Sequence, residues 1–169
     1  MPDLAIVALC DGHDRVAFTC GVDSLDRYFR SQAGQDVRRR ANGVFVLVDP
    51  ASPERVLGYY TLSATALPPG EVPETARKHI PRYPLVSATL IGRLAIAADR
   101  QGQRLGALIL VDALRRALGS AETVGSSMVV VDALDAGAAR FYAAHGFIRL
   151  SESSRLVLPM RTIQRLIAA

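Results

Sequence analysis

Residues 90–118, LIGRLAIAADRQGQRLGALILVDALRRAL, decide how the rest of this chain reads. Leu90 to Ala97 is a mostly apolar run interrupted by Gly92 and Arg93, and it predicts a strand. Arg100 to Gly106 is a polar turn with glycines at 102 and 106. Leu105 to Leu118 predicts a helix, apolar almost all round in its first part. A strand that feeds a helix through a glycine-bearing turn leaves backbone N–H groups unpaired at the helix start. Those groups and the helix dipole favour a phosphate. The stretch therefore predicts a phosphate-bearing cofactor at Gln101 to Gly106.

Downstream, Ser127 to Ala133 (SMVVVDA) is a short, continuous apolar run, the pattern of a strand buried on both faces. Ala136 to His145 predicts a short helix bearing Phe141 and Tyr142 and stopped by Gly146. Phe147 to Leu150 and Arg155 to Leu158 read as the last strands. Upstream, Leu4 to Leu9 reads as the first strand. Asp23 is an expected N-cap, with Asp26 three residues on. The helix it opens is expected to bury Leu25, Tyr28 or Phe29, Gln32, Ala33 and Val37. That helix ends in Arg38, Arg39 and Arg40, and Asn42-Gly43 is expected to stop it. Val44 to Val48 and Arg55 to Ala64 predict a hairpin around a turn containing Asp49, Pro50 and Pro53. Leu67 to Pro84 is proline-rich and reads as a loop, with a short helix possible over Glu74 to Ile80. It carries a basic cluster, Arg77, Lys78, His79 and Arg82. Strands alternating with helices predict an α/β domain with a mixed sheet.

The chain has 169 residues, a length that suits one domain spanning 1–169. Half of the residues are hydrophobic and 21% are charged, the balance of an ordinary globular protein. No apolar run approaches the roughly 20 residues that span a bilayer. The N-terminus lacks a basic start and a cleavage site, so a signal peptide is not expected and cytoplasm is the expected compartment. Cys10 and Cys20 make neither a disulfide framework nor a metal quartet, so no metal is expected. The net charge is +4, and Lys78 is the only lysine. Arginine suits bidentate phosphate recognition, although a codon bias towards arginine explains the same skew. The arginine triplet at 38–40 has two equal readings, a helix cap on a solvated face or an RNA contact.

Three segments together resemble the GNAT acetyltransferase superfamily. They are Arg93-Leu94-Ala95-Ile96, Gln101-Gly102-Gln103-Arg104-Leu105-Gly106, and Ala138 to Phe147 (AARFYAAHGF), whose FY-x-x-x-GF follows the loop at the family's distance. Phe18-Thr19-Cys20-Gly21, Leu25-Asp26-Arg27-Tyr28 and Gly58 to Ser63 (GYYTLS) look like one branch, the TacT-like toxins of bacterial toxin–antitoxin pairs. The resemblance runs over nearly the whole chain. It implies a GNAT fold: a mixed, mostly antiparallel sheet with splayed central strands, flanked by helices. It implies acetyl-CoA as cofactor and the α-amino group of aminoacyl-tRNA as acceptor, with translation blocked as the result. It also implies a ribbon-helix-helix antitoxin and a homodimer.

The resemblance assigns residues as well. The pyrophosphate falls to the backbone of Gln101, Gly102, Gln103, Arg104, Leu105, Gly106 and Ala107. The pantetheine arm pairs with Leu94, Ala95 and Ile96, whose main chain faces the thioester oxygen. Ala138 and Phe141 complete the cofactor set. Tyr142 becomes the general acid, where position alone favours core packing. Arg77, Lys78, Arg82, Arg93, Arg38 and Arg39 are the expected tRNA contacts. Arg104 departs from the family loop, which has glycine there. Positive φ at that position makes arginine costly, whereas a place in the first helical turn tolerates it, and the second is expected.

No histidine compels a general-base role. An α-amine, with a pKa of about 7.7 to 8.0, needs less help than a lysine amine. Cys10 and Cys20 are expected to be structural. The sequence is compatible with two other readings. One is a GNAT acetylating a small amine or a protein N-terminus, for which acidic rather than basic clusters would receive the acceptor. The other is a non-catalytic acyl-CoA sensor.

Overall fold

The computed structural model describes residues 3–77, 84–150 and 153–168. Strand β4 (Val86–Ile96) continues into a 3₁₀ turn (Ala98–Arg100) and then into helix α4 (Leu105–Ala121), as the opening stretch predicts. Before it come β1 (Ala5–Ala8), α1 (Asp23–Ser31), α2 (Ala33–Arg38), β2 (Gly43–Val48), β3 (Gly58–Leu67) and α3 (Glu74–Arg77). After it come β5 (Met128–Asp132), α5 (Ala136–Ala144), β6 (Ile148–Arg149), β7 (Arg155–Pro159) and α6 (Met160–Ala168). The seven strands are hydrogen-bonded in the order β1-β2-β3-β4-β5-β7-β6. Strands β4 and β5 pair parallel, whereas β1–β2, β2–β3, β5–β7 and β6–β7 are antiparallel. The sheet is therefore mixed and mostly antiparallel, with helices flanking it, as expected.

The chain divides into two compact units, 1–63 with 93–113, and 64–92 with 114–169. In the first, β2 turns Val44, Val46 and Val48 to one face, where they meet Phe18, Tyr28, Phe29, Ala33 and Tyr59. Phe29 stacks on Tyr59 at 4.4 Å between centroids, and Phe18 meets both edge-on at 5.1 and 5.5 Å. Such pairs contribute about 0.5–1.5 kcal/mol each beyond their burial. In the second unit, β5 is buried from Met128 to Val131. Its continuous apolar run makes the parallel pairing possible, because helices must cover both faces. Met128 and Val130 pack with Leu67, Val72, Ala76, Val86, Ala88, Leu150 and Val157. The β4–β5 ladder runs from Ala88↔Met128 to Ile91↔Val131. There β5 is one residue from its end, while β4 continues to Ile96.

Several local expectations are corrected. Val22, not Asp23, holds the N-cap position of α1, and Asp26 makes no capping box. Its carboxylate accepts from the Cys20 N–H and the Thr19 hydroxyl, each at 2.8 Å, which ties down the preceding loop. The helix breaks at Gln32, which is exposed, and the buried place expected for it goes to Asp36. Arg40, at φ 58, rather than Asn42-Gly43, ends α2. Its N–H reaches Val37 O and the Ala41 N–H reaches Asp36 O, at 3.2 and 2.9 Å. The second hairpin strand starts at Gly58 rather than Arg55, and runs on to Leu67. In the proline-rich stretch the described part of the helix covers only Glu74–Arg77. Helix α6 has no counterpart among the expected elements. It starts straight after Pro159, without an acidic, serine or threonine cap to announce it, and buries Met160 and Ile163. Among the described residues, no helix is long and apolar enough to cross a membrane.

Candidate functional site

In the first unit, the turn between β4 and α4 is held from one side chain. Gln101 Nε2 donates to Cys20 O at 2.8 Å and to Ile96 O at 3.1 Å. Gly102 sits at φ 80, and a Cβ built there would meet nothing within 4 Å. Gln101, Gly102, Gln103 and Arg104 are all exposed, whereas Leu105 is buried. Helix α4 has no acidic residue in its first turn. A helical bond at its head runs from Leu108 N–H to Arg104 O at 3.3 Å. The N–H groups of Leu105, Gly106 and Ala107 lie ahead of that bond, at the positive end of a long helix.

Arg104 contradicts its expectation. It is not inside the first helical turn but in the N-cap place, at φ 60. This is the left-handed region that glycine enters freely, and an arginine there costs about 1 kcal/mol. This chain holds a left-handed residue at the head of α4 without using glycine there.

Upstream of the turn, Leu94 and Ile96 are half-buried and Ala95 is buried. Gly58 lets the neighbouring strand come close, since a Cβ there would lie 2.8 Å from Ile96 Cδ1 and 3.0 Å from Ala95 O. Arg93, half-buried, lies with its guanidinium carbon 3.5 Å from the Tyr28 ring centroid. The Tyr28 hydroxyl donates to the buried Asp36 at 2.8 Å, and the Asn42 amide donates to both. Burial and the Asp36 bond push the Tyr28 phenol up to about 12. Burial opposes the charge on Asp36, yet hydrogen bonds from Gln32, Tyr28 and Asn42 and the field of Arg93 hold its carboxyl below the usual range. Sequence reasoning missed Asp36 and Asn42. The available signal was an acidic residue at helical spacing from Phe29 and Ala33, on the apolar face.

In the second unit, Asp135 caps α5 by accepting from the Ala138 N–H at 2.8 Å. Gly146, at φ 94, ends the helix, and the Phe147 N–H closes onto Tyr142 O at 3.2 Å. The Tyr142 ring packs against Phe141 at 5.2 Å and Phe147 at 5.4 Å and is only 6% exposed. Burial holds its phenol well above the ordinary value. Among the described residues no hydrogen bond takes its hydroxyl. Phe141 and Ala138 are half-buried on the same helix.

The remaining residues separate clearly. Arg38 and Arg39 are exposed. Arg77 spends its guanidinium on its own loop, donating to Val72 O at 2.7 Å and Gly70 O at 3.2 Å. Lys78, His79 and Arg82 lie outside the described residues. Cys20 is buried and its thiol is pushed up to about 11, chiefly by burial, which makes it a poor nucleophile. His145 pairs through Nδ1 with Phe141 O, and His13 Nδ1 accepts from the Cys10 N–H.

No family model matches the chain. A curated relative is 30% identical over 160 residues, covering 94% of this chain and 93% of its own length. It is the tRNA-acetylating toxin of Mycobacterium tuberculosis. The chain belongs to the tRNA-acetylating toxin family. Among solved structures, AtaT complexed with acetyl-methionyl-tRNAfMet is 29% identical, with a TM-score of 0.89 over 98% of this chain and 99% of that one. AtaTR bound with AcCoA is 28% identical, with a TM-score of 0.87 over 99% of each. These toxins share the fold of this family member, a GNAT acetyltransferase fold.

Proposed function

We propose that this chain is a toxin that transfers acetyl from acetyl-CoA to the α-amino group of aminoacyl-tRNA and so blocks translation. The observation that carries the reading is the exposed turn 101–104 opening α4, with no acid in the first turn, in a member of this family. Those residues fit a diphosphate: open backbone, an unpaired helix head and a cation at Arg104. Acetyl-CoA, when bound, supplies an activated acetyl thioester. Gln101 to Ala107 hold the diphosphate through backbone N–H groups. Leu94, Ala95 and Ile96 align the arm by strand-like pairing and direct main-chain donors at the thioester oxygen. The FY-x-x-x-GF resemblance alone assigns Ala138 and Phe141 to the same cofactor.

By the same resemblance, Tyr142 would be the group that supplies the proton a leaving thiolate needs. A phenol kept neutral by burial, with its hydroxyl uncommitted, suits that role. Cys20, its thiol held protonated by burial, offers no strong base, which agrees with an α-amine acceptor of low basicity. Arg38, Arg39, Lys78, Arg82 and Arg93 receive tRNA phosphates, and Arg77 adds the one guanidinium nitrogen, Nη1, that Val72 O and Gly70 O leave open. The whole of 1–169 works as one catalytic domain, in the cytoplasm, as a homodimer restrained by a ribbon-helix-helix antitoxin.

Mass spectrometry of charged tRNA incubated with labelled acetyl-CoA tests the reading. N-acetylaminoacyl-tRNA is the expected product, in preference to acetylspermidine when both acceptors compete. Acetylation of spermidine alone would refute it.

A further inference from the structure

We infer that Tyr28, Asp36 and Asn42 are positioning residues that present the Arg93 guanidinium to a phosphodiester of the acceptor tRNA. The inference rests on the acceptor reading above and names the groups that act behind one of its contacts.

An arginine beside a buried carboxylate ordinarily forms a bidentate pair with it. Arg93 does not. Its guanidinium lies over the face of Tyr28, with Cζ 3.5 Å from the centroid. Among the described residues, no hydrogen bond or ion pair takes its N–H donors. Asp36 instead accepts from neutral donors: Tyr28 at 2.8 Å, Asn42 at 3.0 Å and Gln32 at 3.0 Å. The carboxylate is satisfied in number but not in charge, and Arg93 is the cation whose field reaches it. The result is a cation held in place by a ring face and a buried charge, with its planar fork of donors unspent.

The platform is rigid. The Tyr28 ring is stacked 6.4 Å from Tyr59 at an interplanar angle of 15°. Its hydroxyl is fixed at the far end by Asp36 and Asn42. Among the described residues Asp36 is the one buried charged side chain, so this carboxylate is an exception in an apolar core. A core that needed only packing would carry a leucine there. A guanidinium with free, oriented donors is a receptor for an oxyanion, and in this family the oxyanion is RNA phosphate.

The experiment measures steady-state kinetics and the salt dependence of deacylated tRNA binding for Arg93→Ala, Tyr28→Phe and Asp36→Asn. Arg93→Ala is expected to raise KM for aminoacyl-tRNA about 10-fold and to lower the salt slope of binding by about one. Tyr28→Phe keeps the ring and the packing, and should raise the same KM about 3-fold. Asp36→Asn should raise it about 5-fold and lower the slope as well. In Tyr28→Phe and Asp36→Asn, kcat and KM for acetyl-CoA stay within about two-fold of the parent. Should Asp36→Asn fold poorly, Tyr28→Phe still decides the matter. Wild-type turnover with an unchanged aminoacyl-tRNA KM and slope in Tyr28→Phe overturns the positioning role alone. A wild-type protein that leaves aminoacyl-tRNA untouched overturns the acceptor reading, and the phosphodiester assignment with it.

Discussion

Tyr28 and Tyr142 are both buried phenols, and they are buried differently. The Tyr28 hydroxyl is committed, donating to Asp36 and accepting from Asn42. The Tyr142 hydroxyl has no partner among the described residues, and its phenol is raised by burial alone. A partnered buried phenol organises its neighbours. An unpartnered one on a helix that ends in a glycine turn is free to offer its proton elsewhere. The difference separates a tyrosine that acts through others from one that acts on the chemistry itself.

Replacing each hydroxyl tests that separation, and the larger effect belongs to Tyr142. Tyr142→Phe keeps the ring against Phe141 and Phe147, so the fold and cofactor affinity should survive. Turnover should fall about 100-fold, the scale of losing a general acid. Calorimetry with acetyl-CoA and a single-turnover assay read the two halves. Undiminished turnover would return Tyr142 to the core.

Tyr28→Phe has the next largest effect, and on stability rather than chemistry. It strips one of three side-chain donors from a buried carboxylate, at a cost of about 1 kcal/mol. For a chain of this size that is about 2–4 °C in Tm. The same network sets a pH window. The Asp36 carboxyl is depressed, so its contribution is present above the unfolded value of about 4 and is lost as pH falls through the folded one. The Tyr28 phenol is raised to about 12, so its contribution is full below about 10 and is lost as pH rises towards 12. A thermal melt series in acid should lose its slope in Asp36→Asn. An unchanged acid limb would mean the carboxylate is not what titrates.

The difference between the tyrosines was only half legible in the sequence. The β4–turn–α4 unit is legible because periodicity, glycines and a polar turn agree along one stretch. β5 is legible because four buried residues in a row leave no exposed face. The Tyr142 role rests on the FY-x-x-x-GF resemblance, since an aromatic before a glycine turn is ordinarily core. Asp36 was not legible. Its partners Tyr28, Gln32 and Asn42 converge only because the chain breaks at Gln32 and reverses at Arg40, events set by packing rather than propensity. Helix α6 was hidden for a related reason, lacking a cap where β7 runs directly into it. Arg104 shows the limit of local reasoning: an arginine at a helix head gives no sign of a positive φ, and only the family's glycine hinted at one.

The smallest expected effect comes from the two left-handed arginines. Arg40 closes α2 at φ 58, and Arg104 precedes α4 at φ 60. Glycine enters this region without the Cβ penalty, so Arg40→Gly and Arg104→Gly should each stabilise the fold by up to about 1 kcal/mol. Part of that gain is offset by the freer unfolded chain. The two substitutions should then part company. Arg40 ends a helix, and its loss should leave KM for acetyl-CoA unchanged. Arg104 heads the turn assigned to the diphosphate, and its loss removes a cation from a phosphate site. There KM for acetyl-CoA should rise about 3-fold, a modest figure because the backbone donors remain. Equal Tm gains with a KM change at Arg104 alone would mean the chain keeps a strained arginine for its charge. A KM that falls in Arg104→Gly would mean the strained turn itself limits cofactor binding, and that the guanidinium contributes nothing to it.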